Sequence, residues 1–124
     1  MNKTAIAKSY IEYLSKGDLE KLLSLFAEDG IVNSPVYGNK NYKEFYTELF
    51  ADTNNSELTI KGIFEDVTTG NIALHFIYQW TLSNDSQVNF EVVDILEFDN
   101  NHKIKVLTII YDTVQSRELV KQLK

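Results

Sequence analysis

Apolar side chains recur at two different periods along this chain, and the change of period divides it. From Thr4 to Ser15, Ile6, Tyr10, Ile11 and Leu14 fall at helical spacing. Gly17 breaks that run. Asp18 stands where a helix N-cap belongs, although Lys21 takes the place where a capping box prefers Glu. Leu19, Leu22, Leu23 and Phe26 form a second stripe, predicted as a helix ending near Gly30. Ile31 to Pro35 reads as a short strand stopped by Pro35. Tyr42 to Phe50 returns to helical spacing, with Phe45, Tyr46 and Leu49 free to pack.

Beyond Glu57 the period shortens to two and β-branched and aromatic residues dominate. Strands are expected at about 57–67, 71–83, 87–98 and 104–113, separated by turn sequences at 69–71, 83–86 and 99–102. The tail from Val114 to Lys124 reads as a short amphipathic helix or a frayed end. Helices followed by an antiparallel meander make an α+β pattern in one domain, residues 1–124. A bent sheet wrapped over the helices leaves a pocket lined by one face of each strand.

One residue conflicts with this alternation. Phe90, Val92, Leu96 and Phe98 share a strand face with Asp94. An unpaired carboxylate there is costly, so it finds a partner or takes up a proton. Elsewhere on the inner side the pattern places Phe76, Tyr78, Trp80, Leu107, Ile109 and Tyr111. Both faces of the last strand are apolar, which predicts a second cover and hence a homodimer through the sheet.

Composition narrows the partners. The 124 residues are 44% hydrophobic and 12% aromatic, enough for a real core. A net charge of −6 argues against nucleic acid and against an anionic membrane surface. There is no cysteine, so thiol catalysis and thiolate metal sites are excluded. The N-terminus lacks a signal-peptide core and no run is long enough to span a membrane, so a cytoplasmic location is expected. His75 and His102 have no metal-ligand spacing. No P-loop, dinucleotide fingerprint, GxSxG or HExxH is present, and no metal or cofactor is expected.

YIEYLSKGDLEKLLSLFAEDGIVNSPVYG, from Tyr10 to Gly38, resembles the opening of bacterial ketosteroid isomerases, within the SnoaL-like and NTF2-like group. Phe45-Tyr46 and Val93-Asp94-Ile95 through Phe98 extend the resemblance, while residues 51–88 align least clearly. It implies a cone of about three N-terminal helices packed on a strongly curved mixed sheet, usually dimeric. It also implies an oxyanion hole in which Tyr10 and a protonated Asp94 donate hydrogen bonds, as in the isomerase where an aspartic acid is kept neutral. Tyr46 matches a supporting tyrosine. A further network tyrosine is Phe26 here, and a pocket-wall tryptophan is Tyr111. The family's general base, an aspartate just before the turn proline, is replaced by Ser34. A hydroxyl without an activating partner is a very poor base, and a positioned base is worth about 10²–10⁴-fold. Neither Glu91 nor Asp112 faces the side of Asp94 or Tyr111, and no replacement base is legible.

The expected function is therefore the binding of a small hydrophobic carbonyl or phenol-like ligand. The alternatives are an active isomerase, lyase or cyclase of the SnoaL-like group with another base, or a structural dimerisation domain. The single arginine, Arg117, lies in the tail. That argues against the Asp-Arg-Asp arrangement of the related epoxide hydrolases.

Overall fold

The computed structural model describes residues 2–124. Helix α1 (Lys3–Lys16) starts at Asn2, whose side chain accepts the Ala5 N–H at 2.7 Å. It ends at Gly17, where φ is 70°, a left-handed conformation that glycine adopts without a Cβ clash. Ile6, Ala7, Tyr10, Ile11 and Leu14 form its buried face. Asp18 caps α2 (Leu19–Leu23) as expected, accepting the Lys21 N–H at 3.2 Å.

The second helix is shorter than its apolar stripe predicts. Helix α2 stops at Leu23, and strand β1 runs over Phe26–Ser34. Phe26 keeps its buried position, but as a strand residue. A buried residue at the start of a strand satisfies helical spacing from Leu22 and Leu23 just as well, so the spacing alone could not locate the boundary. The register of β1 slips between Phe26 and Ile31 against its neighbour. Gly30 sits in that irregular stretch. A Cβ there would lie 3.1 Å from the Ala27 carbonyl oxygen and 3.2 Å from that of Ile104. The absence of a side chain permits this close backbone approach.

Strand β2 (Gly38–Asn41) was not foreseen, being short and polar. Asn41 then caps α3 (Tyr42–Ala51), whose buried face is Tyr42, Phe45, Tyr46 and Leu49. The remaining strands are β3 (Thr53–Glu65), β4 (Ile72–Leu82), β5 (Gln87–Phe98) and β6 (Ile104–Ile110), followed by α4 (Val114–Lys121). Strand β3 begins four residues earlier than expected. Strand β6 ends at Ile110, which leaves Tyr111 just outside it.

The sheet has six strands rather than a four-stranded meander, in the order β2-β1-β6-β5-β4-β3. Strand β1 runs parallel to β6, and every other neighbouring pair is antiparallel. The architecture is α+β with a mixed sheet. Burial alternates without a break from Ile72 to Tyr78 in β4, so one sheet face forms a continuous core with the helices. In β5 the same alternation turns Val92, Asp94 and Leu96 inward.

Candidate functional site

Asp94 is 2% exposed, and its register partners are Leu74 on β4 and Ile109 on β6. Its Oδ1 is fully buried and makes no hydrogen bond. Burial pushes its carboxyl up to about 8, and the nearby Tyr10 hydroxyl opposes that shift. At neutral pH the group is therefore mostly protonated. A protonated carboxylic acid carries one O–H donor, and Asp94 Oδ1 has no hydrogen-bond partner within the protein.

Tyr10 comes from α1 and Tyr46 from α3, and their hydroxyls meet at 2.7 Å. The rings are edge-on, with centroids 6.2 Å apart. Burial first, then the neighbouring acidic groups, raises both phenols well above their ordinary value. Neither ionises near neutrality; either hydroxyl can be the donor of their mutual hydrogen bond, and the arrangement in which Tyr46 donates leaves the Tyr10 proton for the cavity.

Asp94 and Tyr10 open onto a cavity walled by Phe76, Tyr78, Trp80, Phe90, Val92, Ile109, Tyr111 and Ser34. The sequence pattern and the resemblance predict all of these at the pocket. Leu14, Tyr37, Phe45 and Leu49 also line it, which the sequence pattern does not predict. The residues Phe26, Tyr46 and Leu107 lie outside the lining, in the packed core behind it. Tyr46 reaches the site only through Tyr10. Phe26 stacks on Tyr42 at 5.1 Å and packs against Tyr46 at 5.4 Å. The aromatic wall is continuous, with ring centroids 5.2 Å apart for Tyr78–Phe90 and 4.3 Å for Phe90–Tyr111. The free space at the centre is about 40 Å³, room for a few water-sized groups. A larger ligand requires side chains of the wall to turn aside.

Ser34 is not a base in waiting. Its Oγ accepts the Val36 N–H at 3.2 Å and the Tyr37 N–H at 3.0 Å. Both lone pairs are committed to the turn that begins at Pro35, and what remains is one O–H donor. Gly38, with φ 81°, closes that turn. The Arg117 guanidinium donates to the Pro35 carbonyl, which ties α4 to the same turn. Tyr37 lies in this turn, against the Phe45 ring at 5.6 Å. Its hydroxyl donates to Asp52 Oδ2 at 2.8 Å. Lys124 holds both oxygens of Asp52, at 3.0 and 2.9 Å.

His75 stays out of the site. It lies on the outer sheet face and pairs with Glu91 at 2.5 Å. Among the described residues no group of three or more His, Cys, Asp or Glu side chains could hold a metal ion. No helix of the described residues is long and apolar enough to cross a membrane.

A helical layer on a curved mixed sheet, enclosing an apolar cavity with a few polar groups, defines an NTF2-like fold. Residues 7–107 match the model of the SnoaL-like domain, and the chain belongs to that family. The fold is shared with an NTF2-like protein of unknown function from Burkholderia pseudomallei (17% identity, TM-score 0.79, covering 97% of this chain and 98% of that one). It is shared too with SalBIII, an epoxide hydrolase/cyclase-like enzyme in pyran ring formation (13% identity, TM-score 0.77, covering 89% and 90%). In sequence the chain is 27% identical over 106 residues to the orange carotenoid-binding protein of Limnospira maxima, covering 70% of this chain and 33% of that protein. The chain thus spans about a third of the length of this relative.

Proposed function

We propose that this domain binds a small hydrophobic carbonyl or phenol-like compound, with Tyr10 and Asp94 donating hydrogen bonds to its oxygen. One observation carries the reading. Asp94 is a neutral acid with an unpartnered oxygen, set in an otherwise apolar cavity beside a second donor. Asp94 Oδ1 has no partner within the protein, so a ligand oxygen that takes the acid's proton offsets an internal deficit. The named carotenoid-binding activity of the Limnospira relative supports a hydrophobic ligand on this scaffold. Binding rather than isomerisation of the ketosteroid type is favoured because the base position holds Ser34, whose lone pairs are engaged.

Titration with 2-naphthol, a fluorescent phenol whose two rings require side chains of the cavity wall to turn aside, tests the proposal. The wild type is expected to bind it. Tyr10→Phe and Asp94→Ala are expected to weaken binding by at least tenfold each, since each removes one buried donor. Unchanged affinity in both variants refutes the shared-donor site.

A further inference from the structure

The donors Tyr10 and Asp94 line one part of the cavity; the turn from Ser34 to Gly38 brings a group of opposite character to the same cavity. Tyr37 lines the cavity and gives its single hydroxyl proton to Asp52. What the Tyr37 oxygen can offer a ligand is therefore a lone pair, and it acts there as an acceptor. Asp52 is 7% exposed. Its lysine partner is half-exposed and also pairs with Glu48 at 3.3 Å, while Lys40 meets Glu48 at 2.6 Å. Asp52 Oδ2 accepts from both the Tyr37 hydroxyl and Lys124, which holds the carboxyl group aimed at Tyr37. The position where the ketosteroid isomerases carry their base supplies the scaffold. Ser34 accepts the backbone N–H of Tyr37 and so fixes the turn that presents it.

Given a ligand whose carbonyl oxygen rests on Tyr10 and Asp94, as proposed above, we propose that Tyr37 and Asp52 form the proton-accepting half of the site. The matching substrate class is a small ketone with an acidic C–H next to its carbonyl. The C–H bond breaks, and its proton passes to the Tyr37 oxygen as the Tyr37 proton moves to Asp52 Oδ2. The electron pair of the C–H bond delocalises onto the carbonyl oxygen, held by Tyr10 and Asp94. The products are an enolate and a neutral Asp52, and reversal returns the proton. Tyr37 is the catalytic residue, and Asp52 acts through it as a positioning residue and proton store.

The test pairs two probes of one shape: 2-tetralone, whose α-hydrogens can exchange, and 2-naphthol, which resembles its enol. In D₂O the wild type is expected to accelerate α-deuteration of 2-tetralone, followed by NMR, at least 100-fold over buffer, within the about 10²–10⁴-fold range of a positioned base. Tyr37→Phe, which keeps the ring on Phe45, is expected to lose at least tenfold of that exchange yet bind 2-naphthol within threefold of the wild type. Asp52→Asn is expected to lower kcat for exchange without raising KM, and Asp52→Glu to restore part of it. Undiminished exchange in Tyr37→Phe overturns the relay. So does wild-type binding of 2-naphthol with exchange no faster than in buffer. Failure of the wild type to bind 2-naphthol overturns instead the ligand site proposed above, and the relay with it.

Discussion

The hydroxyl of Tyr10 meets that of Tyr46 at 2.7 Å inside the core, although 36 positions separate them in the chain. One of the two donates to the other, which leaves the cavity-facing phenol of Tyr10 oriented rather than free. Replacing Tyr46 with Phe removes that orientation without opening the cavity, because Tyr46 lies behind its lining. The expected cost is about 1–2 kcal/mol of stability, from one buried hydrogen bond lost and one hydroxyl left to find a new partner. Urea denaturation measures it. Binding of 2-naphthol should fall less than in Tyr10→Phe, and an equal fall would place Tyr46 in direct contact with the ligand.

Asp94 makes stability depend on pH in an uncommon direction. Its folded-state value of about 8 lies above the ordinary 3.8 of an exposed aspartate. Between these values the folded chain holds a proton that the unfolded chain has released. Stability from this group is therefore full below about pH 4, declines as pH rises, and is lost once pH passes 8. At about 1.4 kcal/mol per unit the effect amounts to several kcal/mol across the window. Asp94→Asn should remove this dependence. Its stability relative to the wild type is expected to be greater at pH 8.5 than at pH 5, as read from denaturation midpoints at the two values. A constant difference would mean that Asp94 titrates normally.

Ser34 has a structural duty that Ala cannot perform and Asp can. Ser34→Ala leaves two backbone N–H groups without their acceptor and is expected to cost about 1–3 kcal/mol. Ser34→Asp keeps an acceptor for the turn and adds a carboxylate at the cavity wall. Absorbance assays on a β,γ-unsaturated ketosteroid should show isomerisation appearing or rising in Ser34→Asp. A variant that binds the steroid yet stays inert would show that a carboxylate at this position is not aimed at the reacting carbon.

The stacked pair Phe90–Tyr111 forms part of the cavity wall and is expected to limit the size of ligand. Phe90→Ala removes one ring from the wall and should admit a larger phenol such as equilenin at least tenfold more tightly than the wild type, measured by fluorescence. The cavity created is expected to cost about 3–5 kcal/mol at a fully packed site, and less here because Phe90 is only partly buried. Equal affinity for equilenin would show that Phe90 already swings clear.

The outer sheet face is proposed as a homodimer contact. Ile77, Val93 and Ile95 are partly buried there, and Ile110 is 55% exposed. Light scattering at micromolar concentration is expected to give a dimer, and Ile110→Glu a monomer. A monomeric wild type would remove the proposal.

Period alone was enough to place Asp94. Alternation along 90–98 turned it toward the core, and the sheet kept that parity because a slip by one residue would have exposed Val92 and Leu96. The helical stripe containing Tyr10 and the caps at Asp18 and Gly17 were legible for the same reason: each is written within a few neighbouring residues. What the sequence could not yield were features made by distant segments. The parallel pairing of β1 with β6 joins residues about 75 positions apart, and no local period records it. Phe26 satisfies a helix and a strand equally until that pairing forms. Tyr37, Asp52 and Lys124 belong to a turn, a helix end and the tail, and they look like ordinary polar surface until packing gathers them. Secondary-structure faces follow from covalent periodicity, so the sequence determined which side chains point inward. Which inward groups share hydrogen bonds depends on long-range packing, and that was decided only by the tertiary structure.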